Sequence, residues 1–316
     1  MEVIHTPVLR EETIRYLGPR NEGELMLDAT TGEGGHSEAF LSAFPHLRMI
    51  CVDADPEILK TAIERHKIFG GRVQFFNDWA QNIFAEYPAS LKRPDTILID
   101  LGVSYFHYEK SGRGFSFRYD EPLDMRIDTS SGLTAADFIA RLSEKELADM
   151  FYVNAGERYS RRIAKAVVEA RANGPVTSSA VLADIVERSV PPSYSRTHVH
   201  PATKVFMALR IAVNCELSRL PDLLEGALRL LEPGGRMGVI SFNSAEDRIV
   251  KLFFREKNKD CLCPPDDPIC RCGGNRLVNL LSRKGVTPSD EEIRMNPPSR
   301  SARLRVVEKI LDEAES

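Results

Sequence analysis

Apolar residues in the first hundred positions come in short runs, each closed by a carboxylate or a turn. Leu25-Met26-Leu27 runs into Asp28, residues 48–53 end in Asp53, residues 73–76 form a third run, and residues 95–100 end in Asp100. Between them lie stretches of helical spacing at 11–17, 37–44 and 57–67, the last with Pro56 in its first turn, where a missing N–H costs nothing. From about 110 to 199 no strand pattern is present. Helical stripes occupy 134–142, 143–152, 157–173 and 178–190, with a capping box at Ser143 and Glu146 and stops at Gly174-Pro175 and Pro191-Pro192. Helices at 202–220 and 221–231, a strand at 236–242, a helix at 245–257 and strands at 277–282 and 303–310 complete the chain.

Largely apolar strands alternating with helices predict an α/β fold, a parallel sheet covered on both faces. Residues 1–109 and 200–316 should form one discontinuous domain, and 110–199 an all-helical insertion, since ninety residues are too many for a loop.

The first strand leads into Gly32-Glu33-Gly34-Gly35, and the second ends in Asp53 about twenty residues on. Glycines there let backbone N–H groups approach a ligand, and an acidic second-strand end is where such folds hold ribose hydroxyls. A dinucleotide fingerprint would need a third glycine where Ser37 stands. Asp28, Asp53 and Asp100 would form an acidic rim that repels a pyrophosphate and suits a sulfonium. S-adenosylmethionine therefore fits better than a nicotinamide cofactor.

Net charge is −4, which argues against a generally basic coat but leaves room for local basic faces. Three are visible: Arg158-Arg161-Arg162, Arg196-His198-His200-Lys204 and Arg300-Arg303-Arg305. Tyr105, Phe106, Phe115 and Phe117 are candidates to stack a base. There is no apolar run of membrane-spanning length, and the opening residues are mixed and charged, so a cytoplasmic protein with no membrane partner is expected. Of the six cysteines, Cys51 and Cys215 read as core, while Cys261, Cys263, Cys270 and Cys272 form C-x-C-x6-C-x-C, a spacing open to a structural zinc or to redox chemistry. Oligomeric state is not legible.

Several motifs occur in order: Asp28-Ala29-Thr30-Thr31-Gly32-Glu33-Gly34-Gly35-His36-Ser37, Asp100-Leu101-Gly102-Val103-Ser104, Arg113-Gly114-Phe115-Ser116-Phe117, Pro122-Leu123-Asp124-Met125-Arg126, His200-Pro201-Ala202-Thr203 and Asn296-Pro297-Pro298-Ser299-Arg300. With His5-Thr6-Pro7-Val8-Leu9 at the start, they span nearly the whole chain, which resembles the bacterial small-subunit ribosomal RNA methyltransferase H family, also called MraW. The resemblance implies a class I, Rossmann-like, S-adenosylmethionine-dependent methyltransferase sheet split by the helical insertion, which would serve substrate recognition. It implies methylation of the N4 amino group of a decoding-centre cytosine in 16S rRNA, with 16S rRNA or the small ribosomal subunit as partner. By position, the family's cofactor contacts fall on Gly34, Gly35, His36, Asp53, Trp79, Asp100 and His107. His107 stands where the family usually has glutamine, Trp79 where phenylalanine is common, and Asn243 and Ala245 replace a histidine and a leucine.

For the chemistry, a hydrogen-bond acceptor on the cytosine amino group would localise its lone pair. Asp100 is the first candidate and Ser104 the second. Rival readings are a methyltransferase for another substrate and a cofactor-binding, RNA-associated assembly factor without turnover; methyl transfer from labelled cofactor separates enzyme from assembly factor.

Overall fold

The computed structural model describes residues 7–195, 200–261 and 276–310. His5, Thr6, Arg196, His198, Cys263, Cys270 and Cys272 lie outside the described residues. The chain divides into two compact units, one formed by residues up to Gly102 together with those from Leu220 on, the other by Val103–Arg219.

The first unit is a seven-stranded sheet. Its strands are β1 (Leu25–Asp28), β2 (Arg48–Asp53), β3 (Val73–Asn77), β4 (Thr96–Asp100), β5 (Arg236–Ser241), β6 (Val278–Leu280) and β7 (Arg303–Lys309), in the order β3-β2-β1-β4-β5-β7-β6. Strands β1 to β5 are parallel, and β7 runs antiparallel to both of its neighbours. This is the α/β sheet that the apolar runs predict. Alternate side chains feed two cores, as a sheet covered on both faces requires. Leu27, Ile50, Val52, Ile97, Ile99, Met237 and Val239 pack with Leu224, Leu228 and Phe254 on one face. Met26, Met49, Cys51, Leu98 and Ile240 pack with Leu9, Leu17 and Phe40 on the other. Strand order reverses between β1 and β4, so their carboxyl ends flank the switch point where open α/β sheets take ligands.

Helix starts follow local chemistry. Asp55 accepts the Glu57 N–H at 2.9 Å ahead of the helix Pro56–His66, and Ser143 and Glu146 close the predicted capping box on the helix Glu144–Ala155.

The second unit is helical. Ala135–Arg141, Glu144–Ala155, Ser160–Asn173, Ser179–Ser189 and Ala202–Val213 enclose Ile139, Phe151, Ile163, Val167, Leu182, Val186, Phe206 and Leu209. Its limits, 103 and 219, differ from the predicted 110 and 199, because Val205, Phe206 and Leu209 complete this core and not that of the sheet.

One predicted element is also redrawn. The helix expected over 202–220 ends at Val213, and the next runs Glu216–Leu230 straight through Pro221, which the sequence marks as a helix start. Asn214 makes the break. It is buried, its amide donates to the carbonyls of Met125 (2.8 Å) and Arg210 (3.0 Å), and its oxygen accepts the Ile127 N–H at 2.8 Å. Cys215 then turns left-handed, with φ 53°. Pro221 removes one helical N–H, a cost offset by burial of Leu220, Leu223, Leu224, Ala227 and Leu228 along the same helix. Among the described residues no helix is long and apolar enough to cross a membrane.

Candidate functional site

The loop after β1 is stitched to the strands on either side. The Ala29 N–H donates to the Leu98 carbonyl and the Thr31 N–H to the Val52 carbonyl, both at 2.9 Å. Thr30 Oγ1 accepts the Asp100 N–H at 2.6 Å, tying the loop to β4. Asp53 ties it to β2, accepting the Gly32 N–H on Oδ2 at 2.7 Å and the Asp55 N–H on Oδ1 at 2.9 Å. Four short contacts thus fix the backbone between two strand ends.

Gly34 follows with φ 82°, and a Cβ there would lie 2.3 Å from Cε1 of the buried His66 ring. Both conformation and space demand glycine. His66 donates its Nδ1–H to the Ala62 carbonyl at 2.6 Å, and burial holds its pKa below the usual value. Next to it, Arg65 reaches the Glu33 carbonyl at 3.3 Å and pairs with Glu38. These two side chains brace the loop from beneath, and no sequence motif announced them.

Gly35 opens the helix Gly35–Ala43, which carries His36 in its first turn. His36 is buried, with Nδ1 3.5 Å from Thr13 Oγ1 and Nε2 3.7 Å from Asp100 Oδ2. The Thr13 hydroxyl donates to the Arg10 carbonyl at 2.8 Å, so it meets His36 as an acceptor.

Asp28, Asp53 and Asp100 occupy the carboxyl ends of β1, β2 and β4 as expected. Two of them are unusual. Burial pushes the Asp28 carboxyl up to about 7, against a donation from the Thr30 N–H, with Asp53 raising it further. Asp100 is raised well above the ordinary carboxylate range, first by burial, then by the charges of Asp28 and Glu246. Asp28 Oδ2 and Asp100 Oδ1 are buried with no hydrogen-bond partner among the described residues. Glu246 was not singled out from the sequence, although Asn243 three residues earlier was. Asn243 caps the helix Ser244–Lys257, accepting the Ala245 and Glu246 N–H groups, while Glu246 returns a bond to the Phe242 N–H at 2.9 Å. The departure from a histidine at 243 is thus a sound N-cap.

Trp79 stands two residues past β3, capping the helix Ala80–Ala85, with its N–H on Asp78 Oδ1 at 2.7 Å. The Asp78 N–H in turn donates to the Asp53 carbonyl at 3.2 Å, which keeps Trp79 close in chain to the end of β2.

Gly34, Gly35, His36, Asp53, Trp79 and Asp100 all belong to the sheet unit. Ser104 and His107 belong to the helical unit. Ser104 caps the helix Tyr105–Glu109, its Oγ accepting the Phe106 N–H at 3.2 Å. His107 is buried, edge-on to Phe115 with ring centres 5.0 Å apart. Of the aromatics marked for stacking, Phe115 is core and Phe117 lies on His200 at 4.6 Å, whereas Tyr105 is exposed. Cys261 is exposed, and among the described residues no group of three His, Cys, Asp or Glu side chains could hold a metal ion.

The donors present fit a cationic cofactor. Among the described residues two buried carboxyl oxygens lack hydrogen-bond partners, and the rim residues placed here include no arginine or lysine. A pyrophosphate would meet three carboxylates.

A sequence model described as the MraW methylase family matches residues 2–310. The chain is 53% identical over 310 residues to the Treponema denticola protein named ribosomal RNA small subunit methyltransferase H, covering 98% of each. Proteins of the same name from Treponema pallidum, at 41% identity over 96% of this chain and 92% of that one, and Syntrophotalea carbinolica, at 46% over 97% and 98%, are also similar.

Proposed function

This chain belongs to the MraW methylase family, and from that membership and the strand-end site we propose that it methylates the N4 amino group of a decoding-centre cytosine in 16S rRNA, using S-adenosylmethionine. The observation that carries the reading is the pair of buried, partnerless carboxyl oxygens of Asp28 and Asp100 beside the Gly32–Gly35 turn, a rim matched to a positively charged cofactor.

S-adenosylmethionine supplies an electrophilic methyl group; the rest of the chemistry falls to the chain. Asp53 at the end of β2 would take ribose hydroxyls. Gly34 and Gly35 would leave the backbone open beside the cofactor, and Trp79 would offer a flat face to the adenine. The family's pattern gives His107 as a further cofactor contact. Asp100 would accept an N–H from the cytosine amino group, localising a lone pair otherwise delocalised into the ring, and receive the proton after transfer. Ser104, four residues on, is the second acceptor. Orientation within ~3–3.5 Å of the methyl carbon would contribute most of the acceleration. An assembly factor without turnover would have no use for such an acceptor.

The partner in this reading is 16S rRNA, free or in the small subunit, and the site of action is the cytoplasm. A structural zinc on Cys261, Cys263, Cys270 and Cys272 is a separate part of it: about one zinc per chain in freshly reduced, chelator-free protein would support it, and none would remove it. The central test is mass spectrometry of 16S rRNA after incubation of the protein with labelled cofactor and small subunits from cells lacking it. One N4-methylated cytosine is expected; a methyl group on a ring carbon, a ribose oxygen or a purine would overturn the reading.

A further inference from the structure

Most of the basic side chains marked in the sequence are spoken for. Arg305 is buried and bonds Asp247 twice, at 2.7 and 3.1 Å, and Arg303 lies 4.0 Å from the same carboxylate. His200 is stacked on Phe117, and Lys204 donates to the Gly156 carbonyl at 3.1 Å. The exceptions are Arg300, exposed on the sheet unit, and a group of three on the helical unit. Arg158, Arg161 and Arg162 are exposed, and none has a carboxylate within ion-pair distance among the described residues. The nearest carboxylate in sequence, Glu157, is turned inward, its oxygens accepting the Tyr159 N–H and the Tyr194 hydroxyl, each at 2.8 Å.

Arg161 and Arg162 lie in the first turn of the helix Ser160–Asn173, and Arg158 stands in the turn just ahead of it, two residues before the helix starts. Arg158 is also held in place. Its guanidinium carbon lies 4.9 Å from the ring centre of Tyr159 and 4.6 Å from that of Tyr194, and the two rings meet edge to face at 4.9 Å. A guanidinium resting on aromatic rings keeps its edge available to an oxyanion, and less entropy is lost when it binds one. Six residues upstream, across the left-handed Gly156 turn, Tyr152 and Val153 are 63% and 71% exposed. Residues 103–219 carry 16 Lys and Arg against 14 Asp and Glu in a chain of net charge −4, so the positive excess is local to this unit.

We propose that Arg158, Arg161 and Arg162 form the docking face of the helical unit for RNA, gripping backbone phosphates, with Tyr152 as an adjoining stacking surface. This rests on the RNA-methyltransferase reading above and identifies which surface meets the rest of the substrate. Phosphate is favoured over an acidic protein because three arginines with no carboxylate partner among the described residues, one of them held on aromatic rings, suit the bidentate recognition of phosphate oxygens.

The test measures binding of the full chain to protein-free 16S rRNA and to intact small subunits, both lacking the modification, across a salt series. Arg158→Gln/Arg161→Gln/Arg162→Gln should weaken both at least tenfold near 0.1 M salt and lower the slope of log affinity against log salt by about two to three, from ~0.7–0.9 per phosphate contact. Arg161→Gln/Arg162→Gln, which leaves the tyrosine sandwich whole, should lose about two-thirds of that slope, and Arg300→Gln, at an exposed arginine elsewhere, should change affinity less than twofold. Cofactor affinity should stay the same in all three. Unchanged RNA affinity and slope would overturn the proposal. So would a loss confined to intact subunits, which would make the surface a ribosomal-protein contact. A chain that binds RNA through these arginines yet transfers no methyl group would instead sink the methyltransferase reading and leave the docking face standing.

Discussion

His36 Nε2 lies 3.7 Å from Asp100 Oδ2, with the histidine buried in the first turn after the glycine loop and the carboxyl at the end of β4. The distance is too long for a hydrogen bond and short enough for the charge states of the two groups to matter to each other. The Thr13 hydroxyl orients the ring from behind. The carboxyl expected to act on the amino group therefore faces the His36 ring and feels the charges of two further carboxyl groups, Asp28 and Glu246.

That environment predicts a pH dependence. Burial first, and the charges of Asp28 and Glu246 after it, keep Asp100 protonated well above the ordinary carboxylate range. As pH rises through the folded-state value the carboxylate forms and becomes the stronger acceptor, so kcat should rise with pH. Asp100→Asn should lower kcat by about 10²–10³-fold, the range for loss of one oriented hydrogen-bonding group, and flatten the profile. RNA affinity should change little. A pH–rate profile unchanged in the variant would remove Asp100 from the chemistry.

Asp28 should carry a stability cost that varies with pH. Its folded-state pKa is about 7 against an ordinary 3.8, so between those values the folded chain holds a proton that the unfolded chain has released. The contribution to stability is greatest below pH 4, falls as pH rises, and levels off above about 7. Asp28→Asn keeps the shape and the Thr30 N–H contact. It should stabilise the cofactor-free protein by roughly 2–4 kcal/mol at pH 8 and by almost nothing at pH 4. Urea unfolding at the two pH values measures the difference, and equal effects at both would be inconsistent with it.

Gly34→Ala should disturb the loop twice, by forcing φ 82° on an L side chain and by driving a methyl group into His66. A loss of roughly 1–3 kcal/mol in stability is expected, with cofactor binding weakened as well. His66→Ala removes the steric part alone, so the double variant should recover some stability over Gly34→Ala. Additive losses in thermal melts would show that His66 does not press on the loop.

Asp53 combines loop closure with its expected ribose contact, since Gly32 and Asp55 already donate to it. Asp53→Ala should weaken S-adenosylmethionine binding by about 1.5–3 kcal/mol, the range for hydrogen bonds to a charged group. Calorimetric affinity equal to that of the parent in a folded variant would place Asp53 outside the site.

Local patterning was enough for the sheet and its rim. Runs such as Ile97-Leu98-Ile99, alternating with helical stretches, point to strands buried on both faces, and a carboxylate at the end of such a strand lies at the mouth of the sheet, so the positions of Asp28, Asp53 and Asp100 are legible in the sequence. The Gly32–Gly35 turn was legible for the same reason, because a positive φ leaves its mark on a single residue. Long-range contacts left no such mark. The pressure of His66 on Gly34 joins residues 32 positions apart, and the partners of Arg305 and Arg158 decide which arginines are available for RNA. The limits of the helical unit were decided the same way. The stripe of Val205, Phe206 and Leu209 says that a helix buries one face but not against which core, and Asn214 ends that helix by binding backbone about ninety residues away. Periodicity records how a segment meets its own neighbours; which distant surface it meets is fixed only when the whole chain closes on itself.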